Sequence, residues 1–248
     1  MKTPYNTMQR WLALMSALGV AIAALTFLSL HTSRAADAAK DQPASAAAGL
    51  VPLDIPLPAP AFKGTPKDVP TNSYTEPYDP DKRRPVMMVP AGLKNVAAGK
   101  KVTSSDKNAP ADVLAKVTDG DKEATDQSII FLRKGTQWVQ VDLGAAHEIF
   151  AIVLWHAHNT GKIYRDVVVQ VANDSDFIEN VHTVFNNDQD NSSGLGVGTD
   201  REYFETFEGK LINPKGVKGR YVRAYSKGST ESALNEYTEL EVYGRPAQ

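Results

Sequence analysis

His156 and His158 sit two residues apart on an extended stretch, so both rings can face one side and reach a single ion. A zinc site needs at least a third protein ligand, and none stands nearby in the sequence. The other reading is that the two rings hydrogen-bond within loops while Trp155 belongs to the core. Asp119-Gly120-Asp121 sets two carboxylates across a glycine bend. This is an oxygen-rich turn of the sort calcium takes, and equally the make-up of an ordinary surface turn. Asp188-Gln189-Asp190-Asn191-Ser192 has the opening spacing of a calcium loop. Ser193 stands where that loop needs glycine, however, and Thr199 where it needs glutamate, so a solvated, glycine-bent hairpin loop is expected over 186–200.

Other chemistry has little support. There is no Gly-x-Ser-x-Gly elbow, no His-Glu-x-x-His helix and no glycine loop of the phosphate-cradling kind. Carboxylates are plentiful, but spacing alone pairs no two of them across a sugar bond. The absence of cysteine excludes disulfides, thiol catalysis and a lipid-modified cysteine anchor. A net charge of -2 with scattered Lys and Arg argues against nucleic acid. The chain is expected not to be an enzyme.

The elements that must position these residues fall in three parts. Residues 1–35 carry Lys2 and Arg10, an apolar run from Trp11 to Leu30, and Ser33-Arg34-Ala35. They are expected to be a signal peptide, or an N-terminal membrane anchor if left uncleaved. Residues 36–93 are expected to be a linker, flexible and then proline-rich, with ten of the 15 prolines between Pro52 and Pro90. Proline fixes φ and lacks a donor, so extended chain is expected there. Val51, Leu53, Ile55, Leu57 and Phe62 are spaced so that one side of that chain can lie on an apolar surface. A stiff spacer and a strap across the domain both remain open.

Residues 94–244 hold short strand signals at close intervals. Trp138–Leu143 alternates, Ile149–Trp155 is almost continuously apolar, and Asp166–Ala172 is rich in β-branched residues. His182–Phe185, Glu202–Phe207, Arg220–Tyr225 and Tyr237–Tyr243 bring the set to about eight strands. Only Ala109–Lys116 and Ser175–Asn180 suit short helices. Two facing antiparallel sheets follow from such a pattern.

The order of Gly99-Lys100-Lys101-Val102-Thr103, Val117-Thr118-Asp119-Gly120-Asp121, Trp138-Val139-Gln140-Val141-Asp142-Leu143-Gly144, Gly219-Arg220-Tyr221-Val222-Arg223 and Glu239-Leu240-Glu241-Val242-Tyr243-Gly244 resembles the discoidin family. These domains are also called coagulation factor 5/8 type C, and the lack of cysteine is similar to bacterial members such as family 32 carbohydrate-binding modules. The resemblance implies an all-β, galactose-binding-like jelly-roll sandwich with its two ends side by side. It implies a structural calcium held by Asp119, Asp121, Thr125, Thr238 and Glu239. It implies loop residues that contact sugar, for which Trp155, His156, His158, Asn159, Tyr164, Arg165 and Asn235 are the candidates.

The function implied is an exported, non-catalytic module, secreted or held in the periplasm or cell envelope, that binds carbohydrate or a cell-surface polymer. The alternative is a protein-interaction module using the proline-rich strap and the 186–200 loop as contact surface. A metal-dependent enzyme would need His156 and His158 to converge with a carboxylate.

Overall fold

The computed structural model describes residues 49–248. The expected signal or anchor segment 1–35 and the start of the tether lie outside the described residues.

In chain order the strands are β1 Leu50–Pro52, β2 Met88–Pro90, β3 Lys94–Asn95, β4 Lys101–Ser104, β5 Ile130–Leu132, β6 Gln137–His156, β7 Val168–Ala172, β8 His182–Asn186, β9 Lys210–Ile212, β10 Val217–Ser226 and β11 Asn235–Pro246. One short helix, α1 Ala111–Leu114, runs into a 3-10 turn over Ala115–Thr118 and so fills the helical slot expected there.

The two strands expected at 138–143 and 149–155 are one 20-residue strand, β6. Its first half pairs with β4 and β10, and its second half with β11 and β9. Gly144 at φ +85 lies between the halves, in a backbone region that L-residues avoid. Hydrogen bonding therefore runs β3-β11-β6-β10-β7-β8 without a break, and β6 carries it from one layer to the other. Between the layers lie Val139, Val141, Ile152, Leu154, Val169, Val171, Val222, Ala224, Leu240 and Val242, all fully buried. β3 pairs with the end of β11 through Asn95 and Tyr243, so the two ends of the sandwich meet.

Two local expectations are corrected. Residues 202–207 make only isolated bridges, Glu202 to Thr75 and Phe204 to Ile163, in place of a strand. Residues 175–180 are not helical. The Asp174 carboxylate takes the amides of Ile178 and Glu179 at 2.9 and 3.3 Å, and Phe177 turns to φ +57, which ends any helix.

The proline-rich segment is a docked strap. β1 and β2 pair with each other, and Leu53, Ile55, Met87 and Leu93 pack on Ala151, Val153, Trp155 and Tyr243. Those four residues form the outer face of the second layer, the side turned away from the core. This explains why the second half of β6 reads as apolar on both faces. Ile152 and Leu154 face the inner core while Val153 and Trp155 face the strap. Polar anchors fix the strap as well. Arg201 donates to the carbonyls of Ser73 and Thr75, Glu76 and Glu202 exchange backbone bonds with the facing chain, and Lys122 Nζ donates to the Pro56 carbonyl at 2.7 Å. The folded body accordingly begins well before residue 94. At Gly209, where φ is +64, a Cβ would lie 2.6 Å from the Trp155 ring, so only glycine lets the chain pass over that ring.

Candidate functional site

One end of the sandwich gathers the loops that follow β6, β8 and β10 and the turn between β5 and β6. Asn235 ties this end together. Its oxygen accepts from the Ser226 hydroxyl and the Gly228 amide, and its amide donates to the carbonyls of Arg133 and Gly135, at 2.7 to 2.9 Å. All four bonding positions of the buried side chain are filled, so it braces the loops and has nothing left for a ligand.

Four more of the expected contact residues are corrected in the same way. Trp155 is fully buried beneath the strap, with its ring N–H on the Phe207 carbonyl at 2.9 Å. His156 is fully buried too, stacked on Tyr164 at 4.2 Å, with Nδ1 2.9 Å from a Glu205 carboxylate oxygen. His158 is buried with Nε2 2.7 Å from the Lys122 carbonyl. The two histidines hold different partners, and they do not converge on one ligand position. The Tyr164 hydroxyl donates to Glu236 at 2.7 Å. Burial, with Glu236 beside it, pushes that phenol well above its usual range. Each is covered by a segment distant in sequence: Trp155 by the strap, His156 by Glu205, His158 by Lys122 and Tyr164 by Glu236.

Asn159 and Arg165 remain exposed, on the loop between β6 and β7. Arg165 exchanges backbone bonds with Lys227 and Gly228, which pins this loop to the one before β11. Asn159, Thr160 and Gly161 face Thr230 and Glu231 across a groove of about 400 Å³, and strap residues Phe62, Lys63 and Lys67 close its other side. Thr160 donates to Glu231 at 2.7 Å, and buried Lys162 lies 3.1 Å from Glu236 and 3.4 Å from Glu231. Glu231, Lys162 and Glu205 escaped sequence reasoning, and Phe62 was read only as a strap residue able to lie on an apolar surface. A charged residue inside an apolar run, as at Lys162-Ile163-Tyr164, was the one available signal, since a charge there must find a buried partner.

The 186–200 loop is ordered by its own acid. Buried Asp188 accepts the amides of Ser192 and Ser193 at 3.1 and 2.8 Å and the Ser193 hydroxyl at 2.5 Å. Asp166, Asp188 and Asp190 lie together, with Lys227 3.7 Å from Asp166. Replacing Asp188 with Ala orphans several donors and is expected to cost about 2–3 kcal/mol. The melting temperature should fall by roughly 5–10 °C. Amide exchange should accelerate over 188–196, and an unchanged exchange pattern would show that the loop is held by other means.

At the edge of the second layer, the Asp119 turn meets β11. The Gly120 amide donates to one Glu239 carboxylate oxygen at 3.1 Å. The other oxygen is buried without a partner, as is the neighbouring Thr238 hydroxyl. Burial pushes the Glu239 carboxyl up to about 8, with Glu241 and Asp119 adding to the rise and the Gly120 amide opposing it. Asp121 is exposed and caps the Glu123 amide at 3.0 Å, while the Thr125 hydroxyl lies 3.0 Å from that of Ser128. Lys122, from the same loop, forms a buried ion pair with Glu241 at 2.7 Å. The structure thus brings the Asp119 turn against Glu239, while the Asp119, Asp121 and Thr125 side chains also make bonds within the loop.

Residues 116–224 match the family described as the F5/F8 type C, NedA-like, galactose-binding domain. The sandwich has the galactose-binding-like, discoidin-like fold. No curated protein matches the chain. Among solved structures, the chain is similar to chitosan-binding module 1 of a chitosanase/glucanase from Paenibacillus sp. IK-5. The identity is 23% and the TM-score 0.41, over 61% of this chain and 99% of that one. It is also similar to a CBM32 module from Clostridium perfringens in complex with GlcNAc-α-1,4-galactose, with 16% identity and a TM-score of 0.44, over 62% and 96% of the two chains. A fucose-binding module from Streptococcus pneumoniae matches with 18% identity and a TM-score of 0.40, over 61% and 98%.

Proposed function

We propose that this protein is an exported, non-catalytic carbohydrate-binding module whose site is the loop-end groove at Asn159. The observation that carries the reading is the groove itself, on a domain whose family is described by galactose binding. It is concave, and an aromatic side chain, Phe62, faces a planar amide, two threonine hydroxyls and a carboxylate. Planar amides and carboxylates engage adjacent sugar hydroxyls in pairs, and an aromatic face covers the C–H side of the ring. The buried histidines support a non-catalytic role, because His156 and Glu205 are both closed off from solvent.

A structural calcium belongs to the same proposal. Asp119, Glu239 and Thr238 would supply its oxygens, and the orphaned, buried Glu239 oxygen fits a cation better than empty space. The ion would hold the 119–125 turn against β11 and take no part in sugar recognition.

The test is a glycan array followed by calorimetry on whichever sugar binds. Asn159→Ala and Glu231→Gln should each weaken binding at least tenfold, about 1.4 kcal/mol or more. The melting temperature should stay within a few degrees of the parent, since Asn159 is exposed. Full retention of binding by both variants would move the site elsewhere.

A further inference from the structure

The groove at Asn159 does not stop at the loops. It shares Phe62 and Lys63 with a second groove of about 420 Å³, bordered by Phe207 and Tyr78. That groove shares Tyr78, Arg83 and Thr206 with a third, of about 590 Å³. The hollows follow one another along the line where the strap crosses the sandwich. Each is by itself the size of a small-molecule site. We propose that this strap cleft takes several consecutive units of an extended saccharide chain, with the loop-end groove as its first subsite. The proposal rests on the carbohydrate reading above and goes beyond it in naming a polymer, and the strap as the wall that selects it.

The lining supports a polyhydroxylated chain over a peptide or an apolar ligand. Tyr78 and Phe204 form a tilted aromatic pair, 5.3 Å between ring centres, both half-buried at the cleft. Next to them stand donors and acceptors left open by the protein. Arg84 is half-buried and donates through one nitrogen to the Glu208 carbonyl at 2.5 Å. No carboxylate lies within ion-pair distance of its guanidinium among the described residues, and this residue of the cleft lining keeps N–H donors without a protein partner. Tyr203, 5% exposed, lies on the cleft floor with its hydroxyl buried beneath it, so the ring and not the hydroxyl meets the cleft. Glu76 presents a carboxylate engaged through one oxygen only, by Lys210 at 2.7 Å, while Glu208 is held by Arg83 at 3.6 Å and by the Arg84 amide at 3.2 Å. Aromatic faces flanked by unsatisfied planar donors and carboxylates are the combination sugar rings require. None of these residues belongs to the loop end, and the strap that supplies Tyr78 and Arg84 precedes the residues matched to the family.

Chain-length dependence tests the proposal on the full protein. The probes are galactose with β-1,4-galactohexaose, glucosamine with chitosan hexaose, and an array of other mono- and oligosaccharides. A hexaose is expected to bind at least tenfold more tightly than its own monomer. Tyr78→Ala and Arg84→Gln should each remove most of that gain and leave monomer affinity unchanged, while Asn159→Ala weakens both. Equal affinity for monomer and hexaose, or a gain that survives both strap substitutions, overturns the extended cleft and leaves the loop-end site standing. Failure of every saccharide to bind overturns the loop-end reading and the cleft together. Melting curves of the two strap variants identify any loss caused by undocking, and Tyr78→Phe, which keeps the ring, should retain the gain.

Discussion

A chain begun at Lys94 is expected to lose roughly 4–6 kcal/mol of stability relative to one begun at Gly49, or to aggregate on expression. The estimate follows from what the strap covers. Leu53, Ile55, Met87 and Leu93 are partly buried against Trp155, Val153, Ala151 and Tyr243. A fully buried side chain of this size contributes about 1.5–3 kcal/mol, and partial burial a fraction of that on each side of the contact. Removing the strap also uncovers a contiguous apolar patch on a sheet face, the sort of surface that drives association. It further strips the Pro56 carbonyl from Lys122, whose ion pair with Glu241 depends on well-satisfied surroundings. A melting temperature lower by roughly 10–20 °C is expected. Leu53→Asp with Ile55→Asp in the full chain should reproduce most of the loss by undocking the strap without shortening the chain. Equal melting temperatures for the two lengths would show the strap to be a spacer resting on a sandwich that is complete without it.

The second large effect comes from Glu239. Its carboxyl is raised to about 8 from an ordinary 4.5, chiefly by burial. Below the unfolded value both states are protonated and nothing is lost. As pH rises towards 8 the unfolded chain ionises first, so the metal-free folded state loses stability across that window. The loss is on the order of 3 kcal/mol, or roughly 6–12 °C between pH 5 and pH 8 in chelator. Calcium should reverse it, and the rise in melting temperature on adding calcium should be larger at pH 8 than at pH 5, because protons and the cation compete for one carboxylate. Glu239→Gln should flatten the metal-free pH dependence and abolish the calcium response. A calcium response that survives in Glu239→Gln would place the ion elsewhere, and a wild-type melting temperature insensitive to calcium at pH 8 would remove it from the proposal.

Much of the fold was legible because strand patterns are local. The alternation in Trp138–Leu143 puts Val139, Val141 and Leu143 on the inner face as read, and Val167, Val169 and Val171 of the β-branched run lie there too. The turn at Gly120 was expected beside Glu239 and lies there. The site was less legible. His156, His158, Trp155, Tyr164 and Asn235 have the right types for a loop site, but residue type carries no information about depth. Whether a histidine at a strand end meets water or core depends on which distant segments close over it. Here those are Glu205, 49 positions from His156, and Lys122, 36 positions from His158.

The amino-acid sequence by itself determined the all-β class, the order of the main strands, the extended course of the proline-rich segment and the lack of thiol chemistry. These follow from alternation, backbone restriction and composition, all of which act over a few residues. Tertiary structure alone decided that the extended segment is a strap, that Glu239 and Glu241 on the outer face of β11 are covered, and that the open groove lies at Asn159 between loop and strap. Each of those outcomes depends on surfaces far apart in the chain excluding water together. That exclusion is a property of the assembled fold, and no short stretch of sequence contains it.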